Sequence, residues 1–339
     1  MREIGSEFWL DEVLPQATSE RDGVYTISGR AAIDIIIQDI LSTRTVRNVY
    51  MPAWGCDSMI APFVDRGIKV DLYDVSFDNH LDYAVDENHR ADLFYVNNYF
   101  GYETTIDLEI IAKFKQNGAV IIYDHTHSMM MYDEQYKALA DYSFASIRKW
   151  MGVIGGASLE GVKNKDLKTC HYLNLKETAM RMKQAYINGD SSVDKQVFLR
   201  LYGEFGHHLV EDYRDYAMDD LSYAIYRNSD FASMKSQRRE NAKYLHGHLN
   251  LQFLSPLTPN TCPIFVPVLF SSKEERDYVR KKLIEAEIYC PIHWPKSQFI
   301  TPELQVNHIF DTELSLICDQ RYDVSDMRRI VETIQRINK

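Results

Sequence analysis

The sequence predicts an α/β protein: a large three-layer domain with a mainly parallel sheet between helices, then a smaller α+β domain at the C-terminus. Three observations predict it. Short apolar runs alternate with helical segments through the first half of the chain. Two of those runs, ADLFYVN and AVIIYD, are almost wholly apolar, as strands covered on both faces must be. The length, 339 residues, suits about two domains.

Taken in order, TISGR leads into the clearest helix. Ile33, Ile36, Ile37, Ile40 and Leu41 recur at helical spacing and predict a single apolar face, with Ser28 as a plausible N-cap. RNVYMP reads as a strand ending at Pro52, residues 57–66 as a helix and IKVDLYDV as the second strand. ADLFYVN, a helix over 105–117 and AVIIYD follow, then DYSFASI and GASLEGV. Residues 163–225 are charged, tyrosine-rich and mostly helical. KSQRRENAKYLHGHL reads as a helix, PIFVPVLF as a strand, KEERDYVRKKLIEAEI as an amphipathic helix and DMRRIVETIQRI as the last helix. The expected partition is 1–225 for the large domain, N-terminal segment included, and 226–339 for the small one.

Composition narrows the function. A formal net charge of −11 argues against nucleic-acid or anionic-membrane partners, yet a local positive site for a small anion is compatible with it. The five cysteines are scattered and form no CxxC pair, which speaks against a disulfide framework or zinc site and suits a reducing cytoplasm. The stretch MREIGSEFWLDEVLP is acidic with no long apolar run, so no signal peptide is expected. No apolar run approaches the roughly 18 residues of a membrane span.

In an open parallel sheet, ligands bind beyond the carboxyl ends of the strands. There the sequence puts Trp54 and Cys56 after the first strand, Asn98 after the third, Asp124, His125 and His127 after the fourth, and Ser146, Arg148 and Lys149 after the fifth. Ser28, Gly29 and Arg30 head a helix expected at the same edge. Each has a plainer reading. Ser28 and Gly29 can be a cap, Asp124 a turn former, Trp54 core, Arg30 and Arg148 ion-paired surface groups, Lys149 a strand-end lysine. The alternating histidines of HTH point to opposite faces of an extended chain, which disfavours metal. His207, His208, His246 and His248 read as surface residues. GxxxxGK[ST] and GxGxxG are both absent.

The set fits pyridoxal 5'-phosphate. Its aldehyde needs a lysine, its ring nitrogen a carboxylate, its phosphate hydroxyls and a helix N-terminus, and its ring a flat neighbour. Lys149, Asp124, Ser28 with Gly29 and Ser146, and Trp54 or Cys56 supply these in turn.

The chain also resembles the DegT/StrS family, the fold-type I pyridoxal-phosphate sugar aminotransferases. The likeness is carried by SGRAAI, MPAWGC with RGIKVDLYDVSFD, NNYFG, IYDHTHS and SIRKWMGVIGGA, then by IYCPIHWP and LSLICDQRYDVSDMRRIVETI. It implies that Lys149 carries the cofactor, Asp124 holds the ring nitrogen, His127 meets the phenolic oxygen, and Ser28, Gly29 and Ser146 bind phosphate. Trp54 or Cys56 would stack on the ring, and Arg30, Asn98 and His293 would lie near substrate. It further implies a homodimer that takes an amino group from an amino acid, glutamate being the expected donor, to a keto sugar on a nucleotide carrier. Arg30 stands where the family has a small hydroxyl residue, Ile225 where it has an asparagine, and KSQFITPELQ departs from its usual continuation. A pyridoxal-phosphate enzyme of another reaction type and a non-catalytic relative are the alternatives.

Overall fold

The structure is a computed structural model that describes residues 2–12, 21–163 and 165–337; Met1 and residues 13–15 of the N-terminal stretch read above lie outside the described residues. The chain forms two compact units. The first comprises Met1–Ser6, Val46–Asp141 and Asp230–Lys339, and the second Glu7–Thr45 and Tyr142–Ser229.

In the first unit, strand Asn48–Pro52 lies parallel to both Lys69–Phe77 and Leu93–Asn97. Val120–Asp124 continues the parallel set beside Leu93–Asn97, with Asn97 opposite Asp124, and Leu81–Ala84 folds back antiparallel on Lys69–Phe77. Every residue of Leu93–Asn97 and Val120–Asp124 is buried, which is why their sequences lack the alternation of a half-exposed strand. Helix Leu108–Gln116 is capped by Asp107, whose side chain accepts from the Glu109 N–H. It turns Ile111 and Phe114 inward, and Phe114 stacks on Phe94 with centroids 4.0 Å apart. The mainly parallel α/β arrangement predicted by the sequence is present.

The C-terminal part of this unit has an antiparallel sheet, Gln252–Phe253, Val266–Leu269 and Glu313–Leu316. Helices Phe231–His248, Lys273–Glu285 and Val324–Ile337 accompany it. Met327, Ile330, Val331 and Ile334 fall at i, i+3, i+4 and i+7 and join Leu245, Val268, Val279 and Leu316 in one core. Burying such a side chain stabilises by roughly 1.5–3 kcal/mol before entropy is counted. Ile4–Gly5 pairs in parallel with Ile288–Tyr289 and adds Ile4 to that core.

In the second unit, Val24–Thr26, Ala157–Glu160 and Tyr142–Ala145 form antiparallel pairs. Helices Gly29–Thr43, Leu173–Ile187, Lys195–Glu211 and Asp220–Asn228 complete it. The single apolar face expected of the first helix needs correction. Its middle is buried nearly all round, including Ile35 and Asp34, whereas Leu41 is 38% exposed because the last turn runs into solvent. Asp34 tolerates burial because Gln38 Nε2 donates to it at 2.7 Å and Arg214 lies 3.6 Å away.

Candidate functional site

The first unit holds a carboxylate and an aromatic cluster at the carboxyl ends of its parallel strands. Asp124 closes Val120–Asp124 and is buried. The chain turns straight after it, so the Thr126 N–H donates back to Asp124 Oδ1 at 2.8 Å. Tyr95 Oη donates to Asp124 Oδ2 at 2.7 Å. Burial raises the Tyr95 phenol well above its ordinary value, which keeps the proton on the donor.

That turn also corrects the reading of HTH: the histidines do not alternate along an extended strand, and both are buried. His127 Nδ1 accepts from the Phe100 N–H at 3.1 Å, and its ring stacks on Trp294 with centroids 5.6 Å apart. A backbone N–H can only donate, so Nδ1 carries no proton there. His125 has no hydrogen-bond partner for either ring nitrogen, and burial pushes its imidazole down to about 3. Among the described residues no group of three or more metal-ligating side chains gathers.

Asn98 shapes the neighbouring turn. Its Oδ1 accepts from the Gly101 N–H at 3.0 Å, and its Nδ2 donates to Tyr102 O at 2.6 Å and Thr105 Oγ1 at 3.0 Å. Gly101 has φ +77°, and a Cβ there would meet Cys262 O at 2.0 Å, so only glycine fits. Trp54 is fully buried, stacks on Tyr99 at 4.4 Å and donates from Nε1 to His293 O at 3.0 Å. Cys56 is half-buried, with Sγ 2.9 Å from Ser58 Oγ.

His293 stands at the end of a relay. Its Nδ1 lies 2.8 Å from Ser315 Oγ, and Ser315 Oγ donates to Glu313 Oε1 at 2.5 Å. The His293 N–H donates to Glu313 Oε2 at 2.6 Å. Burial pushes the Glu313 carboxyl up to about 8 against the opposing pull of Ser315, the His293 N–H and Arg276. Trp54, His127 and His293 therefore form one cluster, with His127 and His293 ring centroids 6.2 Å apart.

The second unit holds the lysine and the helix start. Ser28 is extended, and its Oγ accepts from the Ala31 N–H at 3.3 Å, capping Gly29–Thr43 as expected. A side chain on Gly29 would stand 3.4 Å from Ser146 Cβ, so the buried Ser146 packs on the start of that helix. Lys149 ends the 3₁₀ turn Ile147–Lys149, its N–H donating to Ser146 O at 3.3 Å. Arg30 turns elsewhere: its guanidinium lies 5.5 Å over the Tyr213 ring and donates to Val210 O at 3.2 Å. Arg148 has a buried Nε without a hydrogen-bond partner, unlike the ion-paired surface group of the plainer reading.

His207, His208 and His248 are exposed, but His246 is half-buried, stacked on Phe253 with centroids 4.0 Å apart and 3.2 Å from Tyr102 Oη. Burial pushes it down to about 4, a correction to its surface reading. Sequence reasoning missed Tyr95, Trp294, Ser315 and Glu313. Glu313 carried the one usable signal, an acid opening the apolar strand ELSL.

No protein-family model and no curated protein matches the sequence. Solved structures do match in fold. Spr1654 of Streptococcus pneumoniae, named as a candidate sugar aminotransferase and solved in a PMP form, is 14% identical over 93% of this chain and 87% of its own, with TM-score 0.64. Helicobacter pylori PseC, an aminotransferase involved in the biosynthesis of pseudoaminic acid, is 12% identical over 92% and 85%, with TM-score 0.65. DesI, solved in the presence of its TDP-sugar product, is 15% identical over 93% and 80%, with TM-score 0.64. The chain has the fold of these proteins across nearly its whole length. Among the described residues no helix is long and apolar enough to cross a membrane.

Proposed function

We propose that this protein is a pyridoxal-phosphate-dependent aminotransferase that moves an amino group from an amino acid, with glutamate as the donor, to a keto sugar on a nucleotide carrier. One observation carries the reading: in the second unit a capped helix start, the buried Ser146 packed on it and Lys149 one short turn later form a single local arrangement. That combination fits a phosphate and an aldehyde of one small molecule, because the helix start offers N–H groups and partial positive charge while the lysine offers an amine. The fold likeness supports it, since the matched proteins include Spr1654 in PLP and PMP forms.

When bound, the cofactor supplies an electron sink for the carbon that loses a proton. In this reading Ser28, Gly29 and Ser146 hold its phosphate, and Lys149 attaches it covalently. The Lys149 amine would serve as general base and acid, taking the proton from the donor carbon and giving it back. Asp124, held by Tyr95 and Thr126, keeps the ring nitrogen protonated. His127 orients the ring through its phenolic oxygen, and Trp54 or Cys56 covers a ring face. His293 lies towards the acceptor, its ring set by Ser315 and Glu313. A homodimer, a cytoplasmic location and a domain boundary near residue 226 belong to the same reading.

The test is the visible spectrum of the purified protein with added pyridoxal phosphate, before and after borohydride reduction, followed by peptide mass mapping. A yellow protein with the reduced label on Lys149 is expected. A colourless, unlabelled protein in excess cofactor sinks the reading.

A further inference from the structure

The second unit carries a concentration of buried positive charge around one carboxylate. Lys176 is 5% exposed and Lys183 is 1% exposed. Lys176 Nζ lies 2.7 Å from Glu7 Oε2 and 5.0 Å over the Tyr202 ring, and the Lys183 ammonium donates to the Glu7 carbonyl. The positive charge of Arg148 adds to the pull of Lys176 that holds the Glu7 carboxyl well below its ordinary range. The Arg148 Nε is nevertheless buried with no hydrogen-bond partner. Buried cations are costly unless paired and hydrogen-bonded, so this arrangement calls for an anion.

Glu7 meets that demand incompletely. Its side chain is half-exposed whereas Lys176 beneath it is enclosed. The backbone of its segment is pinned separately: Tyr202 Oη donates to Phe8 O at 2.8 Å, the Asp11 N–H donates to Gly152 O at 2.9 Å, and the Gly152 N–H donates to Asp11 Oδ2 at 2.7 Å. A Cβ on Gly152 would meet Trp9 O at 2.0 Å, so the segment lies directly on that glycine. The Glu7 side chain can therefore swing out while its backbone stays attached.

We infer that Arg148, Lys176 and Lys183 form a binding site for a small carboxylate anion, in which Glu7 is a displaceable internal ligand. The occupant itself identifies the chemistry: a planar carboxylate already sits against Lys176 at hydrogen-bonding distance. Arg148 offers the unused donor that an external carboxylate would engage. The site does not depend on the role proposed for Lys149, although Arg148 and Lys149 share one short turn.

The experiment uses the full-length protein, with thermal melts and calorimetric titration in acetate, glutarate, phosphate and chloride at equal ionic strength. Glu7→Ala is expected to melt below wild type, to recover saturably in acetate or glutarate but not in chloride, and to bind glutarate severalfold more tightly than wild type. Glu7→Ala combined with Arg148→Gln is expected to lose that rescue. Equal effects of carboxylate and chloride, rescue that survives Arg148→Gln, or a preference for phosphate would each overturn the inference. Should Glu7→Ala fail to fold, wild type decides: saturable glutarate binding that Arg148→Gln weakens supports the site, and its absence overturns it. None of these readouts requires pyridoxal phosphate, so failure here is distinct from failure of the aminotransferase reading.

Discussion

The carboxyl group of Glu313 is cut off from water, and its burial outweighs three interactions that favour the charged form. Its pKa in the folded protein, about 8, lies above the ordinary glutamate value. The native state therefore keeps a proton that the unfolded chain releases at lower pH. That contribution is fully present below the unfolded value and is lost as pH rises through about 8. Glu313→Gln removes the titration. With its amide oxygen towards the His293 N–H and its amide N–H towards Ser315, the variant mimics the protonated carboxyl, and the slope is the readout. Between pH 5 and pH 8.5, urea-melt stability of wild type should fall relative to Glu313→Gln; parallel curves would mean that Glu313 is charged in the native state. His125 runs the opposite way. Its imidazole is held neutral, down to about 3, so the stability it permits is present above the ordinary histidine value and is lost as pH falls. Each unpaired buried polar group costs roughly 1–3 kcal/mol. His125→Phe keeps a ring beside Tyr123 and removes both unpaired nitrogens, so we expect it to raise stability by about 1 kcal/mol at neutral pH and to flatten the acid-side decline. A loss of stability in urea melts would point to a polar role for His125.

At the scale of elements, Ser28 is both the cap of Gly29–Thr43 and a proposed phosphate ligand. Ser28→Ala should cost about 1 kcal/mol by removing the bond to the Ala31 N–H, while Ser28→Gly should cost only a few tenths. If Ser28 also holds phosphate, both variants should weaken pyridoxal phosphate binding equally, because glycine restores the cap preference and not the hydroxyl. Weakening by alanine alone would tie the binding loss to fraying of the helix. The same element shows what could be read from the sequence. Its isoleucines and its serine cap are local signals, as are the continuous apolar runs of Leu93–Asn97 and Val120–Asp124, and those elements stand where the periodicity put them. Asp124 and His127 could be placed because they end or follow Val120–Asp124, and Ser146 and Lys149 because they follow Tyr142–Ala145; the roles given to them are part of the proposal. The relay from His293 through Ser315 to Glu313 was not, because it joins residues about 20 positions apart through a strand and a loop. Nor was the pairing of Glu7 with Lys176, separated by 169 positions. Burial of His246 depends on Phe253 and Tyr102, neither of which its own polar helix announces.

For the whole molecule, charge and ligand act on different length scales. The net charge of −11 opposes the approach of any anion, pyridoxal phosphate included. The Debye length is about 10 Å at 0.1 M salt, so moderate salt screens that long-range repulsion while contacts within a site are much less affected. Association of pyridoxal phosphate with the protein should therefore speed up as salt rises from low to physiological strength, the reverse of what a net-positive binder gives. Stopped-flow absorbance reads this rate directly. Bound cofactor should also stabilise the fold by mass action, by about 2.7 kcal/mol when free ligand is one hundred times its Kd. Lys149→Ala should retain part of that stabilisation, because Ser28, Gly29 and Ser146 remain, but lose the borohydride-stable label. Asp124→Asn should keep the label and lose turnover, because an amide cannot hold the ring nitrogen protonated. A melting temperature that ignores pyridoxal phosphate in wild type would leave Lys149 as an ordinary strand-end lysine. An association rate that falls with salt would mean that local positive charge, rather than the net −11, governs the approach.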